Sequence, residues 1–536
     1  MSNALYYGDN LDVLRESIAS ESVDLVYLDP PFNSQATYNL LFRSPDGVGS
    51  QAQIEAFEDT WHWGQEAESA FNQVMRSGNT DAADLLRAMR SFLGENDMMA
   101  YIAMMSVRLL ELRRVLKHTG SLYLHCDPTA SHYIKQMLDG IFGATQFKNE
   151  IVWRRGTPRG HAFTRYASSH DVIFYYTKGD ITTWNPENAV VAYDIDDLDE
   201  KTDEKYSLAD ADGRRYQLTS LLNPNSNRPN LTYEFLGVTR VWRWTRERME
   251  ASYEAGLIVQ RQTGGVPRYK RYLDEQKGKP IGDIWDDIPP INSQAQERLG
   301  YPTQKPVSLL ERVLKVSSNE GDMVLDPFCG CGTTIHAAQK LGRKWIGIDV
   351  THLAISLIER RLKDAFPGIT FEVHGTPQDL DGARDLASRD KYQFQWWAVS
   401  LIDAQPFSGK KKGADGGIDG LIYFRSDAKT TERAVVSVKG GNVSVPMVRD
   451  LKGVLDREKS PIGVFLTLEP PTRPMEKEAA SAGFYMLGER QYPRLQIITV
   501  EQALAGAKPA IPLVDTGAAF KRAARESTSK QPKLDI

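Results

Sequence analysis

The chain has 536 residues, a formal net charge of −5 and three cysteines, which excludes a mini-protein, a disulfide framework and a protein that is basic throughout. Any nucleic-acid binding must therefore come from local basic patches. No apolar run reaches membrane-spanning length and residues 1–10 lack the basic-then-apolar order of a signal peptide, so a soluble, cytoplasmic protein is expected.

The first predicted elements are a helix and a buried strand that ends in a proline-rich tetrapeptide. Apolar residues at helical spacing begin at Leu11, and the apolar run 23–28 predicts a strand. That strand runs directly into Asp29-Pro30-Pro31-Phe32, where the prolines allow neither a helix nor a continued strand. The tetrapeptide is therefore expected at the carboxyl end of a strand, where open α/β sheets place their sites.

Between residues 179 and 290 the pattern is irregular, and an acidic stretch is followed by a basic, aromatic one. Donors interleaved with rings are what contacts to phosphates and base edges require, so this region is the candidate for target recognition. A second basic loop begins at residue 154 and is a candidate for holding phosphates. A solvated charged face is the alternative for both. The candidate DNA-binding residues are Arg154, Arg155, Arg240, Arg243 and Arg246.

A strand, a glycine turn and a helix are predicted between residues 323 and 341. An apolar run ends at Asp326, and Gly330 and Gly332 permit a tight turn before the helix. The next strand ends in Asp349, where Rossmann-like units place the carboxylate that binds ribose hydroxyls. A third glycine and a Walker lysine are both missing, so the turn indicates a nucleoside site without a dinucleotide fingerprint or a phosphate-binding loop.

The two motifs together resemble a known enzyme family. Asp-Pro-Pro-Phe at 29–32, followed much later by Asp-Pro-Phe-x-Gly-x-Gly at 326–332, is similar to the permuted, β-class S-adenosylmethionine-dependent DNA amino-methyltransferases of the adenine-N6 type. Further ordered matches, such as 301–306, extend the resemblance over roughly residues 1–365. It implies an α/β, Rossmann-like methyltransferase with a mostly parallel twisted sheet and an inserted target-recognition region.

The resemblance also implies a role for each motif. A nucleobase amine is a poor nucleophile because its lone pair is delocalised, so a carboxylate and a proline carbonyl that accept its two hydrogens favour attack on a methyl sulfonium. An aromatic ring would stack on the flipped-out base, and neither a nucleophilic residue nor a metal is required. The implied residues are Asp29, Pro30, Pro31 and Phe32 for catalysis, and Asp9, Lys305, Asp326, Phe328, Gly330, Gly332, Thr333 and Asp349 for S-adenosylmethionine.

A second α/β domain is predicted after a polar, turn-rich segment. Residues 394–399 predict a buried helix, and two strands follow, one after Asp419 and one ending in Lys439. This arrangement resembles Mrr-type restriction endonuclease domains, in which an acid and an acid-x-lysine or glutamine-x-lysine bind a divalent cation. Ser437 departs from that pattern, and Asp415 is a candidate second carboxylate for Mg²⁺ at Asp419. Two alternatives remain for this domain: an active nuclease, or a DNA-binding domain that no longer cleaves.

The predicted domains are a methyltransferase catalytic half (1–180), a target-recognition region (181–300), a cofactor-binding half (301–366), a linker (367–390), an Mrr-like domain (391–505) and a disordered tail (506–536). The expected partner is double-stranded DNA, and no association with a membrane is expected. The oligomeric state stays open, and a homodimer is one of the alternatives.

Three functional hypotheses follow. The first is methylation of adenine N6, with cytosine N4 as the alternative target, because an acid at the first catalytic position is typical of adenine-specific members. The second is a fused restriction-modification enzyme that also cleaves DNA. The third is a DNA-binding protein with a decayed methyltransferase core, which predicts no cofactor binding.

Overall fold

The computed structural model describes residues 2–31, 37–43, 49–58, 62–156, 166–191, 193, 198–292, 295, 297–299, 301, 303–407, 416–426, 430–512 and 526. The chain divides into two compact units, Met1–Trp184 with Asp283–Ile536, and Asn185–Gly282. Among these residues, no helix combines the length and the apolar character that crossing a lipid bilayer would require.

The larger unit begins with alternating strands and helices. Its first elements are β1 (Ala4–Tyr7), α1 (Asn10–Ser17), β2 (Val23–Leu28), β3 (Thr37–Arg43), β4 (Gly49–Glu58), α2 (Gln65–Met75), α3 (Thr80–Leu93), α4 (Asp97–Val115), β5 (Leu116–Cys126), α5 (Ser131–Phe142), β6 (Phe147–Arg154) and β7 (His170–Thr177). All of β2 is buried. Strands buried on both faces read as apolar runs, which explains why this strand could be predicted.

The smaller unit, Asn185–Gly282, contains short antiparallel strands and two helices among its described residues. Its elements are β8 (Val190–Val191), α6 (Glu200–Lys205), β9 (Leu208–Ala209), β10 (Arg215–Ser220), β11 (Thr232–Phe235), β12 (Val238–Val241), α7 (Arg246–Glu254), β13 (Ile258–Val259), β14 (Arg268–Tyr272) and β15 (Lys279–Pro280). Trp242 is completely buried and donates its indole N–H to the Tyr233 carbonyl. This tryptophan is therefore a core residue, whereas the sequence pattern predicted a ring available to a base.

The larger unit resumes after residue 282. Its remaining elements are β16 (Ile284–Trp285), α8 (Val307–Ser317), β17 (Met323–Asp326), α9 (Thr333–Lys340), β18 (Lys344–Asp349), α10 (His352–Ala365), β19 (Glu372–His374), α11 (Leu380–Arg389), α12 (Lys391–Leu401), β20 (Gln405–Pro406), β21 (Gly420–Arg425), β22 (Thr431–Lys439), α13 (Val445–Glu458), β23 (Ile462–Thr467), α14 (Arg473–Ala480), β24 (Phe484–Leu487), β25 (Arg490–Pro493), β26 (Leu495–Thr499) and α15 (Val500–Leu504).

A nine-stranded sheet organises this unit, in the order β16-β6-β7-β5-β2-β17-β18-β1-β19. Only β7 pairs antiparallel with its neighbours, so the predicted mostly parallel sheet is confirmed. β2 and β17 are parallel neighbours, with Leu25 opposite Val324 and Val26 opposite Leu325. The carboxyl ends of parallel neighbours lie at the same edge, so the two motifs that follow these strands emerge together.

A separate five-stranded sheet, in the order β20-β21-β22-β23-β26, forms the carboxyl-terminal part. Two apolar clusters are built on its residues. One includes buried residues of α12, such as Phe394 and Trp397, and the other includes buried residues of α13, such as Leu451 and Leu455. A second α/β domain was predicted here, and this arrangement agrees with it.

The predicted linker and the predicted end of the target-recognition region differ from the structure. The predicted linker 367–390 contains β19, which pairs with β1, and α11, whose amino end is capped by Asp379. The predicted target-recognition region extended to residue 300, but β16 pairs with β6 in the main sheet. Pairing between distant segments leaves no local signal, which is why composition alone placed these residues in loops.

The predicted disordered tail also begins too early. The Gln496 side chain exchanges two hydrogen bonds with the backbone of Ala510, and Ile511 is buried. Residues 506–512 therefore continue the domain. The rest of the predicted tail, except Glu526, lies outside the described residues.

Candidate active site

A cavity of about 440 Å³ lies at the carboxyl ends of β1, β2, β17 and β18. It brings together the two motifs that are far apart in the sequence. The predicted residues that line it are Asp9, Asp29, Pro30, Pro31, Lys305, Asp326, Phe328, Gly330, Thr333 and Asp349. Phe32, predicted to stack on a base, lies outside the described residues.

Asp29 follows β2 directly and forms an ion pair across the cavity wall. Its Oδ2 accepts a hydrogen bond of 2.5 Å from Lys305 Nζ. Its Oδ1 is buried and has no hydrogen-bond partner among the described residues. A buried carboxylate oxygen without a donor is costly, so this atom is suited to accept a hydrogen bond from a bound group.

The glycine turn connects β17 to α9. Gly330 has φ +49° and donates its N–H to Asp349 Oδ2 at 2.9 Å. Gly332, with φ +72°, does not line the cavity, and a Cβ there would lie 2.7 Å from Ile358 Cγ1. Its predicted contact with the cofactor is thus not supported: glycine is needed at this position so that the turn can pack against α10.

A buried arginine, which the sequence analysis missed, holds the amino end of α1. Arg108 Nη2 donates to both carboxylate oxygens of Asp9, and Arg108 Nε donates to Asn10 Oδ1 at 2.6 Å. The amide of Asn10 in turn donates to the Pro327 carbonyl at 2.9 Å. Arg108 is the one charged residue in the apolar run 98–110, a signal that a buried partner exists.

A second buried network links β2, β5 and β7. Tyr27 Oη is 2.8 Å from His125 Nδ1, and His125 Nε2 is 3.1 Å from Asp171 Oδ2. Burial alone would raise the pKa of Asp171, but the hydrogen bond from His125 and the nearby cationic groups outweigh burial and lower it. His125 is completely buried and is therefore a core residue of this network.

The helix α12 contacts the wall of the cavity from the carboxyl-terminal side. Trp396 packs against a cluster that includes Tyr301 and Cys331, two residues that line the cavity. The Gln393 side chain accepts a hydrogen bond from the backbone N–H of His352, at the start of α10. The carboxyl-terminal part therefore contributes to the support of the predicted cofactor site.

The predicted DNA-binding arginines occupy two different parts of the chain. Arg154 donates to the Asp286 carbonyl. Arg155 is 3.0 Å from Asp171 Oδ1 and so joins the buried network that contains His125. In the unit Asn185–Gly282, Arg240 and Arg243 are exposed, and Arg246 lies over the Tyr233 ring. These three have cationic groups at the surface, as contact with phosphates requires.

Two of the predicted nuclease residues lie close together: Asp419, directly before β21, and Lys439, the last residue of β22. Asp419 is buried and accepts hydrogen bonds from the Gln395 side chain, the backbone N–H of Val438 and the Ser437 hydroxyl. Lys439 Nζ is 4.0 Å from Asp419 Oδ2. Within the described part of the chain, no group of three or more His, Cys, Asp or Glu side chains could hold a metal. Asp415 lies outside the described residues.

Two acids on the cavity wall have raised pKa values. Burial raises the pKa of Asp326 to about 7, and the neighbouring charges of Asp29 and Asp349 add to this effect. Burial likewise raises the pKa of Asp349 to about 6, against hydrogen bonds from Thr351 and Gly330. A cationic ligand would stabilise the charged form of both acids.

The buried acid Asp326 should make stability fall as pH rises. Its pKa of about 7 in the folded state lies above the ordinary value of 3.8, so between these values the folded state holds a proton that the unfolded state lacks. This stabilisation is complete below about pH 4, declines as pH rises and is gone above about pH 7. Asp326→Asn should therefore gain stability relative to the unsubstituted protein between about pH 4 and about pH 8, by up to about 4 kcal/mol. Urea unfolding without ligand measures this difference.

The control for that experiment is Asp381→Asn, because the side chain of Asp381 is almost fully exposed. Its stability difference should not change with pH over the same range. A pH-independent difference for Asp326→Asn would contradict the raised pKa.

Comparison with known proteins identifies two families. The model of the DNA methylase family N6_N4_Mtase matches residues 23–360, more than half of the chain. The model Mrr_cat, a restriction endonuclease family, matches residues 386–491. The first match contains both cavity motifs and the second contains Asp419 and Lys439.

Individual relatives agree with these families. The type II methyltransferase M.EcaI of Enterobacter cloacae is 28% identical over 372 residues, 67% of this chain and 69% of the relative. The type III restriction-modification enzyme StyLTI Mod subunit of Salmonella typhimurium is 26% identical over 64% of this chain, which spans only 50% of that relative. The DNA adenine methyltransferase YhdJ of Escherichia coli is 38% identical over 20% of this chain and 37% of the relative.

Among solved structures, the M1.HpyAVI–SAM complex aligns with 67% of this chain and 98% of its own at 14% identity, with a TM-score of 0.31, too low to support an inference. The family matches confirm both resemblances and the α/β fold class predicted from the sequence. The chain therefore belongs to the DNA methylase family and is a DNA methyltransferase of restriction-modification type with a carboxyl-terminal restriction-endonuclease-like domain.

Proposed function

We propose that this protein transfers a methyl group from S-adenosylmethionine to the N6 amine of adenine in double-stranded DNA. One observation carries the proposal: Asp29, after β2, and the glycine turn, after the neighbouring β17, line the same cavity. An acceptor for amine hydrogens and a nucleoside-binding turn must lie within one site if a methyl group is to pass between two ligands.

The cavity wall fits the chemical groups of the cofactor. Asp349 would accept hydrogen bonds from the ribose hydroxyls, and Asp9 would lie beside the adenine. Asp326, with its raised pKa, favours a cationic ligand. Phe328, Gly330 and Thr333 would form the surface against which the ligand packs. S-adenosylmethionine, when bound, supplies an electrophilic methyl group, so the protein itself needs no nucleophile.

The catalytic role falls to the tetrapeptide after β2. Asp29 Oδ1 lacks a partner among the described residues, and in the proposed role it accepts a hydrogen bond from one N–H of the amine. The Pro30 carbonyl would accept a hydrogen bond from the other N–H, which directs the nitrogen lone pair out of conjugation with the ring. Phe32 would stack on the base after it leaves the duplex.

Two observations support adenine as the target. An acid stands at the first position of the tetrapeptide, as is typical of adenine-specific members of the family. Among the relatives, YhdJ is named a DNA adenine methyltransferase. Cytosine N4 is the alternative, because both amines present the same two hydrogens.

The surface arginines Arg240, Arg243 and Arg246 support Asn185–Gly282 as the target-recognition unit, with double-stranded DNA as the partner. Arg154 would contact phosphates near the cavity. A cytoplasmic location and a homodimer remain expectations of the sequence analysis.

For the carboxyl-terminal domain we propose DNA binding without cleavage. The carboxylate of Asp419 already accepts three hydrogen bonds from neutral donors, and Ser437 occupies the position where a second metal ligand would be expected. Mg²⁺ is normally bound through one or two carboxylates that keep room for several waters. The alternative is a fused restriction-modification enzyme with Mg²⁺ at Asp419.

Substitution of the turn glycine should remove cofactor binding. A Cβ at Gly330 would lie 3.3 Å from the Tyr301 ring, and valine would place two further methyl groups on the cavity wall. Gly330→Val should weaken S-adenosylmethionine affinity by about 100-fold, as measured by calorimetry. The control Gly368→Val shares a positive φ but has open space around it, so its affinity should not change. Equal loss in both variants would contradict a cavity-specific effect.

Loss of the catalytic carboxylate should remove turnover and spare cofactor binding. Asp29→Ala should lower kcat by about 100- to 1,000-fold, because the interaction with the amine strengthens in the transition state. Its dissociation constant for S-adenosylmethionine should change by no more than about twofold.

Digestion of DNA methylated by the unsubstituted protein should yield N6-methyladenine. N4-methylcytosine alone would refute the adenine assignment, and a fully active Asp29→Ala would refute the mechanism.

The purified full-length protein should leave DNA intact when Mg²⁺ is present. Supercoiled, unmethylated plasmid is the substrate, and gel electrophoresis detects a single nick. The matched control is Asp419→Ala, which should behave in the same way because Asp419 has no cleavage role in this proposal. Nicking by the unsubstituted protein that Asp419→Ala abolishes would instead establish the fused restriction-modification enzyme.

A further inference from the structure

The ion pair between Lys305 and Asp29 suggests a role for the lysine that differs from the cofactor contact predicted from sequence. Lys305 Nζ lies 2.5 Å from Asp29 Oδ2, and the side chains are only 10% and 17% exposed. We infer that Lys305 is a positioning residue that holds the catalytic carboxylate by one oxygen and leaves the other for the substrate amine. This inference rests on the proposed function.

The first argument is the division of labour between the two oxygens of Asp29. Oδ2 is engaged by the lysine, whereas Oδ1 is buried without a hydrogen-bond partner among the described residues. Without Lys305 the carboxylate could rotate about its terminal bond, because rotation at such a bond has broad, shallow minima. A fixed ammonium donor selects the orientation in which one particular oxygen remains available.

The second argument is that the lysine itself is held in place. Gln304, the preceding residue, accepts a hydrogen bond from the Leu299 backbone N–H and donates one to the Glu297 carbonyl. The Glu297 side chain also accepts from the backbone N–H of Val307, at the start of α8. The backbone on both sides of Lys305 is thus anchored, and an anchored donor can position its acceptor.

The third argument is charge. Paired with Asp29, Lys305 adds no net charge to the site. The pairing also compensates part of the cost of burying a carboxylate.

The experiment compares Lys305→Met and Lys305→Arg in the full-length protein. Methionine keeps the length of the side chain without its charge, and arginine keeps the charge. Lys305→Met should lower the single-turnover rate constant at saturating S-adenosylmethionine by about 100-fold, because Asp29 loses its orientation. The dissociation constant for S-adenosylmethionine should change by no more than about twofold, and Lys305→Arg should recover part of the lost rate.

Two controls make the result specific. Lys363→Met removes an exposed lysine that pairs with Glu359 on α10, and its kcat should be unchanged. In an Asp29→Asn background, Lys305→Met should cause no further loss of rate, because the group that it positions is already absent.

The alternatives give different results. Weaker binding of S-adenosylmethionine with an unchanged kcat at saturation would show that Lys305 contacts the cofactor and would overturn the inference. A Lys305→Met variant with unchanged kcat and unchanged affinity would overturn it as well. If Lys305→Met does not fold, Lys305→Arg alone tests the inference. A lower kcat with unchanged affinity for S-adenosylmethionine would then support a positioning role, and weaker affinity with unchanged kcat would contradict it. If Asp29→Ala stays active, the proposed function itself fails, whatever the lysine variants do.

Discussion

The parallel pairing of β2 with β17 is the contact on which the rest of the larger unit depends. Asp24, within β2, reinforces it by accepting a hydrogen bond of 2.9 Å from the backbone N–H of Met323, while Lys117 neutralises its charge. A slip of one residue between these strands would exchange the faces of their side chains and separate the motifs that follow them. The position of Asp29 beside the glycine turn is thus set by backbone register.

Charge around the cavity is arranged in two ways. Asp29 and Asp9 lie opposite cationic side chains, Lys305 and Arg108, in buried or half-buried ion pairs. Asp326 and Asp349 instead accept hydrogen bonds from neutral donors, and burial raises their pKa values. The first arrangement fixes geometry, whereas the second provides acids whose charged form a cationic ligand would stabilise.

Much of the fold and most of the cavity wall could be predicted, because their signals are local. The buried strand 23–28, the prolines after it and the glycine turn each constrain the backbone within a few residues. What was missed depends on distant partners: Arg108 with Asn10, the pairing of β19 with β1, and the anchoring of Ala510 by Gln496. A single sequence carries no record of which distant residues will meet.

The helix α12 serves two regions at once. Trp396 packs on the apolar cluster that contains Tyr301, whereas Gln395, one residue earlier, donates a hydrogen bond to Asp419. A protein shortened after residue 366 would leave one side of that cluster in water, beside the turn that carries Gly330. The methyltransferase part is therefore no freestanding module, because a side chain of the second domain covers the apolar cluster beside its cavity.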